Sequence, residues 1–155
     1  MSLNAIELLI NDHETVKELM AELMKTSNRA TKKRTQLLNK IDQELKLHTR
    51  IEEEIFYPAF KKAGKKEDAQ MYFEALEEHR AVEELVLPDL ENTDVNGDKF
   101  GGRAKVLKEL LEHHIEEEES EMFPRARELF SDEQLEQLGE QMQAMKDEMK
   151  TAAAA

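Results

Sequence analysis

Six side chains of two types fall where a metal would need them. His48 and Glu52 are four residues apart, as are His114 and Glu118. That spacing puts two side chains on one face of a helix, so each pair points an imidazole and a carboxylate at one spot. Both pairs open matching stretches, His48 to Pro58 and His114 to Pro124, and each reaches a proline ten residues after its histidine. Two lone histidines, His13 and His79, complete the set. A shift of 66 residues carries His13 onto His79, His48 onto His114, Glu52 onto Glu118, Glu53 onto Glu119 and Pro58 onto Pro124. Val16 with Val82, Leu19 with Leu85, Ile41 with Leu107 and Leu45 with Leu111 follow the same shift. The chain reads as two helical hairpins, each giving one lone histidine and one His-x-x-x-Glu.

All six lie on apolar stripes. Ile6, Leu9, His13, Val16, Met20 and Leu23 alternate by three and four along a first helix of about 4–26. A second helix, about 31–63, carries Leu38, Ile41, Leu45, His48, Glu52, Ile55 and Ala59. A third, about 67–90, carries Tyr72, Leu76, His79, Val82 or Glu83, and Val86. A fourth, about 103–130, carries Ala104, Leu107, Leu111, His114, Glu118, Glu121 or Met122, and Arg125. Pro58, Pro88 and Pro124 fall inside the patterns and predict kinks. The stretch from Asn92 to Gly102, rich in glycine, asparagine and aspartate, predicts a loop. Ser131 to Gln134 reads as a capping box opening a shorter fifth helix with the stripe Leu135, Leu138, Met142, Met145 and Met149. Four long helices with short connections predict an all-α, antiparallel up-down four-helix bundle over 1–130. Residues 131–155 form a helix packed on it with a frayed tail.

Composition excludes several classes. With 155 residues the chain suits one domain with a core of its own. A net charge of -13 speaks against a nucleic-acid or anionic-membrane partner. No apolar run approaches a membrane span, and Glu7 and Asn11 break the N-terminal apolar segment, so no signal peptide is expected. With no cysteine there is no disulfide, thiolate nucleophile, iron–sulfur cluster or cysteine zinc site. The expected location is the cytoplasm.

One histidine on a core stripe is ordinarily a hydrogen-bonded structural residue. Six polar groups repeated in register are different, because an unpaired buried carboxylate is costly and two of them repel. A dication answers both problems. Imidazole and carboxylate without thiolate suit iron, manganese or zinc. Two bridging carboxylates, with two terminal histidines per metal, suit a di-iron centre best. Ferritin-like bundles place glutamate first with spacing three, the reverse of the order here.

The order His, His-x-x-x-Glu, His, His-x-x-x-Glu, with Phe and Pro shortly after each glutamate, resembles the hemerythrin HHE cation-binding domain from about Ala5 to Phe130. The resemblance implies a four-helix bundle with two carboxylate-bridged irons. His13, His48, His79 and His114 would be terminal ligands, and Glu52 and Glu118 bridges. Two departures stand out. Oxygen-carrying hemerythrins have a fifth histidine where this chain has Glu83, which is either an extra ligand or a solvated group. Carriers also use His-x-x-x-x-Asp on the fourth helix, a spacing that His113 shares with Glu118. The repeat assigns the role to His114, because Leu47 is the mate of His113. Glu53 and Glu119 are expected on a solvated face or supporting histidines. Phe56, Tyr57, Phe60 and Phe123 are expected to pack around the kinks and keep a dry pocket, with Tyr57 a further hydrogen-bond donor.

The leading expectation is a non-haem di-iron protein that binds dioxygen, nitric oxide or peroxide for sensing, storage or transfer. The alternative is a metal-centred enzyme that disposes of peroxide or nitric oxide, or assists repair of iron centres. Repair relatives usually carry a cysteine-bearing N-terminal domain, whereas this chain opens on its first helix. A metal-binding regulatory module, suggested by the Met-lined last helix, is a third class. Zinc and manganese are the rival occupants.

Overall fold

The computed structural model describes residues 3–154. Helix α1 (Ala5–Met24) starts at Asn4, whose side chain accepts from the Glu7 amide at 2.9 Å. Then follow α2 (Thr31–Ile51), α3 (Tyr57–Ala63), α4 (Lys66–Ala81), α5 (Leu87–Glu91), α6 (Asp98–Glu117), α7 (Phe123–Leu129) and α8 (Asp132–Ala154). α2 with α3, α4 with α5, and α6 with α7 are continuous rods. With α1 they form the all-helical antiparallel bundle, and α8 packs along α1.

Each rod is joined by one π turn: Glu52–Phe56, Val82–Val86 and Glu118–Met122. The cause is the proline two residues past each turn. Pro58, Pro88 and Pro124 have no amide hydrogen to give, and an ordinary α turn there would clash. The chain takes one extra residue instead, so that the Tyr57 amide reaches back to the Glu52 carbonyl and the Phe123 amide to that of Glu118. The expected kinks are therefore π turns, and they shift the apolar register by one. Ile55 and Ala59 were expected in the core, but Phe56 and Phe60 are fully buried there. Leu87 likewise takes the place of Val86, and Ala126 that of Arg125, which pairs with Asp68 at 2.9 Å.

The expected loop is shorter than its composition suggests. α6 begins at Asp98, so Gly101 and Gly102 are helical. Phe100 explains this: its ring is buried under the Arg34 guanidinium, 4.5 Å away, and pins the first turn. Leu85, the repeat mate of half-buried Leu19, is exposed. At the chain end, Thr151 to Ala154, expected to fray, continue α8, while Ala155 lies outside the described residues.

The capping box at Ser131 is formed in both directions, at 3.1 and 2.8 Å. Leu135 and Met142 of α8 are buried against the bundle, so packing accounts for much of its methionine stripe. Gly139 sets how close α8 comes: a Cβ there would meet the Leu3 carbonyl oxygen at 2.4 Å and backbone atoms of Asn4 and Ala5 within 2.9 Å. Gly139→Ala should push α8 off the start of α1 and cost about 1–3 kcal/mol in denaturant unfolding. An unchanged midpoint would show that the contact yields freely.

Two apolar clusters fill the bundle, one around Ile6, Leu9, Phe56, Tyr57, Phe60 and Phe123, the other around Val16, Ile41, Leu45, Leu107 and Leu111. The polar residues of the stripes lie between them. Among the described residues no helix is long and apolar enough to cross a membrane.

Candidate metal centre

α1, α2, α4 and α6 each bring one histidine to the middle of the bundle, and the first residues of two π turns bring Glu52 and Glu118. These six form two sets. His13, His48, Glu52 and Glu118 offer ligand atoms within 4.8 Å of one another, and so do His79, His114, Glu52 and Glu118. Both glutamates belong to both sets, and each histidine pair comes from one hairpin. The Nε2 atoms point inward: His48 lies 2.9 Å from Glu52 Oε1, His79 3.3 Å from the same oxygen, His114 2.6 Å from Glu118 Oε1 and His13 3.6 Å from it.

Burial makes the arrangement costly without a cation. Both oxygens of Glu52 and of Glu118, and Nε2 of His13 and His48, are buried with no hydrogen-bond partner. Six orphaned polar atoms in one spot are far outside what a protein interior ordinarily tolerates. Their types, two bridging-capable carboxylates and four imidazoles, fit a pair of divalent cations.

Each outer nitrogen is held by a carboxylate, so the Nδ1–H donates and leaves Nε2 as the ligand atom. His13 donates to Glu119 at 2.7 Å, His48 to Asp12 at 3.0 Å, His79 to Glu53 at 3.0 Å and His114 to Glu78 at 2.8 Å. Glu53 and Glu119 act across the two hairpins; Asp12 and Glu78 act within one. Sequence reasoning missed Asp12 and Glu78, although the 66-residue shift superposes them and each directly precedes a lone histidine. It also missed Lys146. This α8 residue, buried on the stripe between Met142 and Met149, donates to the second Asp12 oxygen.

Glu83 and His113 stand apart from both sets. Glu83 is exposed, and it lines the rim of a cavity over the centre. His113 is 64% exposed and pairs with Glu117 at 3.0 Å. The cavity, of about 30 Å³, is walled by Val16, Leu45, Val82, Leu111 and Ile115 and floored by the four histidines. That is room for a water or a diatomic molecule. Tyr57 is not among its lining residues. Its fully buried hydroxyl lies 3.2 Å from His79 Nε2 and 3.4 Å from His114 Nε2, amid the aromatic cluster. The Phe123 ring stacks on His13 with centroids 5.8 Å apart.

The charges shift one another strongly. Burial opposes a proton on His48, but Glu52 and Asp12 outweigh it and push the imidazole up to about 10. His114 is raised well above its ordinary range, against its burial, by Glu118 and Glu78, and His79 is raised by Glu52 and Glu53. Burial opposes charge on Glu118, yet His114 beside it holds the carboxyl well below the usual range. These shifts favour protonated imidazoles in the metal-free site, and a cation must displace their protons. Metal uptake should release protons near pH 7, measurable with an indicator dye in weak buffer, and affinity should climb with pH. The same shifts stabilise the metal-free fold below the ordinary histidine value of 6.5, and that contribution is lost as pH rises towards 10. Uptake without proton release would contradict this.

Fold and site together define an antiparallel four-helix bundle with a central histidine–glutamate cluster suited to cations. The chain belongs to the hemerythrin HHE cation-binding domain family, whose model matches residues 4–126. A crystal structure of an HHE domain-containing protein, the Rv2633c homolog from Mycobacterium kansasii, superposes with a TM-score of 0.84 at 30% identity, covering 98% of this chain and 90% of that one. The uncharacterized protein Rv2633c of Mycobacterium tuberculosis is 28% identical over 96% of this chain and 88% of its own length. A protein of Nostoc named DNA nickase is 26% identical over 95% of this chain, which spans 40% of that protein's length.

Proposed function

We propose that the chain is a non-haem di-iron protein that binds a small ligand such as dioxygen, nitric oxide or peroxide. The observation that carries this reading is the pair of four-residue ligand sets sharing Glu52 and Glu118 beneath a cavity of diatomic size. His13 and His48 would hold one ion, His79 and His114 the other, and the two glutamates both. Iron bound there would supply redox-active Lewis-acid positions facing the cavity.

The protein's own contribution is order and dryness. Glu119, Asp12, Glu53 and Glu78 fix the four rings by their Nδ1–H groups. The aliphatic wall borders the cavity, and by limiting water there it would slow autoxidation of bound iron by dioxygen. Thr49 and Glu83 sit at the rim, where a small ligand would pass. We place Glu83 there and not among the ligands, since it joins neither set. Strand nicking is not part of this proposal: a net charge of -13 opposes a phosphate backbone.

The test is optical. Iron-loaded, oxidised protein should show near-ultraviolet and visible charge-transfer bands that move when azide is added. A spectrum that azide leaves unchanged would mean that no coordination position is open.

A further inference from the structure

His113 and Glu117 join neither ligand set of the centre, yet they converge with Glu78 at the surface. Ligand atoms of Glu78, His113 and Glu117 lie within 4.8 Å of one another. His113 Nε2 is 3.0 Å from Glu117 Oε1 and 3.7 Å from Glu78 Oε2. Beneath them runs a narrow cleft between α4 and the rod of α6, of about 20 Å³, lined by Glu74, Glu78, Glu117, Glu121 and Glu118. Glu118 is the decisive member. Its side chain is 2% exposed, both its oxygens lack a hydrogen-bond partner, and it is shared by both ligand sets. The cleft therefore joins a surface group of one imidazole and two carboxylates to an orphaned carboxylate of the centre.

We propose that Glu78, His113 and Glu117 form a loading site through which divalent iron reaches the centre by way of Glu118. This rests on the reading of the centre as a two-metal site. The donor types suit a borderline dication. Three donors on the surface, open to water, suit a transient station and not a resident ion. Carboxylates lining a narrow cleft concentrate cations and speed their arrival. Glu78 links station and centre, with one oxygen towards His113 and the other accepting from His114 Nδ1 at 2.8 Å.

The test compares wild type with the double variant His113→Ala, Glu117→Gln, both surface changes that spare the six ligands. A Glu136→Gln variant, on exposed α8 surface, controls for net charge. Metal-free proteins are mixed anaerobically with ferrous iron and quenched with chelator at intervals. The double variant should load about tenfold more slowly yet reach the same two ions per chain, and the Glu136→Gln control should load at the wild-type rate. In addition, iron-loaded wild type should take up Mn²⁺ weakly, seen as lost free-ion paramagnetic signal, and the double variant less. Equal loading rates, or equal Mn²⁺ uptake by wild type and double variant, would overturn the proposal. Failure of the centre reads differently: neither protein would retain two ions, and a station with nothing to supply would fall with it.

Discussion

Glu52→Ala and Glu118→Ala should each lose both ions, not one. Each glutamate belongs to both ligand sets, and with one gone the other alone must offset two dications in a buried site. The loss in affinity should exceed the roughly 10–100-fold typical of residues that only support a ligand. Thermal unfolding reports the same event. Metal at about a thousand times its dissociation constant adds about 4 kcal/mol to a fold that binds it, which is roughly 10 °C for a domain of this size. That increment should vanish in either variant. His13→Ala should lose one ion first, and His113→Ala should hold two at equilibrium. A Glu118→Ala protein that still binds two ions would contradict the shared-bridge geometry.

Asp12→Ala should be the most destabilising single change outside the apolar core. It breaks the contact with His48 at 3.0 Å and leaves the Lys146 ammonium buried with no partner. Breaking a buried ion pair from one side costs about 3 kcal/mol or more. Lys146→Met should cost less, because a methionine of similar length suits the apolar stripe on which Met142 lies one turn away. The pair Asp12→Ala, Lys146→Met should recover much of the loss, measured by urea unfolding of the metal-free protein. The two single variants also separate fold from site. Both free the His48 ring or weaken its hold, so both should lower affinity for the His13–His48 ion, by about 10–100-fold for Asp12→Ala. If the double variant is no more stable than Asp12→Ala, the ammonium is not the source of the cost.

The candidate ligand set could be read from the sequence because periodicity and repetition agreed on it. His48 and Glu52 occupy successive core slots before the π turn, where an ordinary α period still holds, and the repeat confirmed each slot. From each π turn onward the same period fails by one residue, which is why Ile55, Ala59, Val86 and Arg125 were placed in the core and Phe56, Phe60, Leu87 and Ala126 are found there. Proline marked the position of the disturbance but not its form. Gly101 and Gly102 read as loop because their composition outweighed one buried ring, Phe100. Asp12 and Glu78 lie one residue before a candidate ligand and look like ordinary charged helix surface. Their role depends on which neighbouring helix the carboxylate faces, and only tertiary packing decides that. Lys146 is harder still, since its partner is 134 positions away and on another helix.

The most direct measurement is the metal content of protein reconstituted without oxygen, counted per chain after removal of free ions. Two irons per chain in wild type, falling to none in Glu52→Ala and Glu118→Ala, are the predicted result. One ion or fewer per chain in wild type, or retention of zinc or manganese in preference to iron, would contradict the di-iron centre.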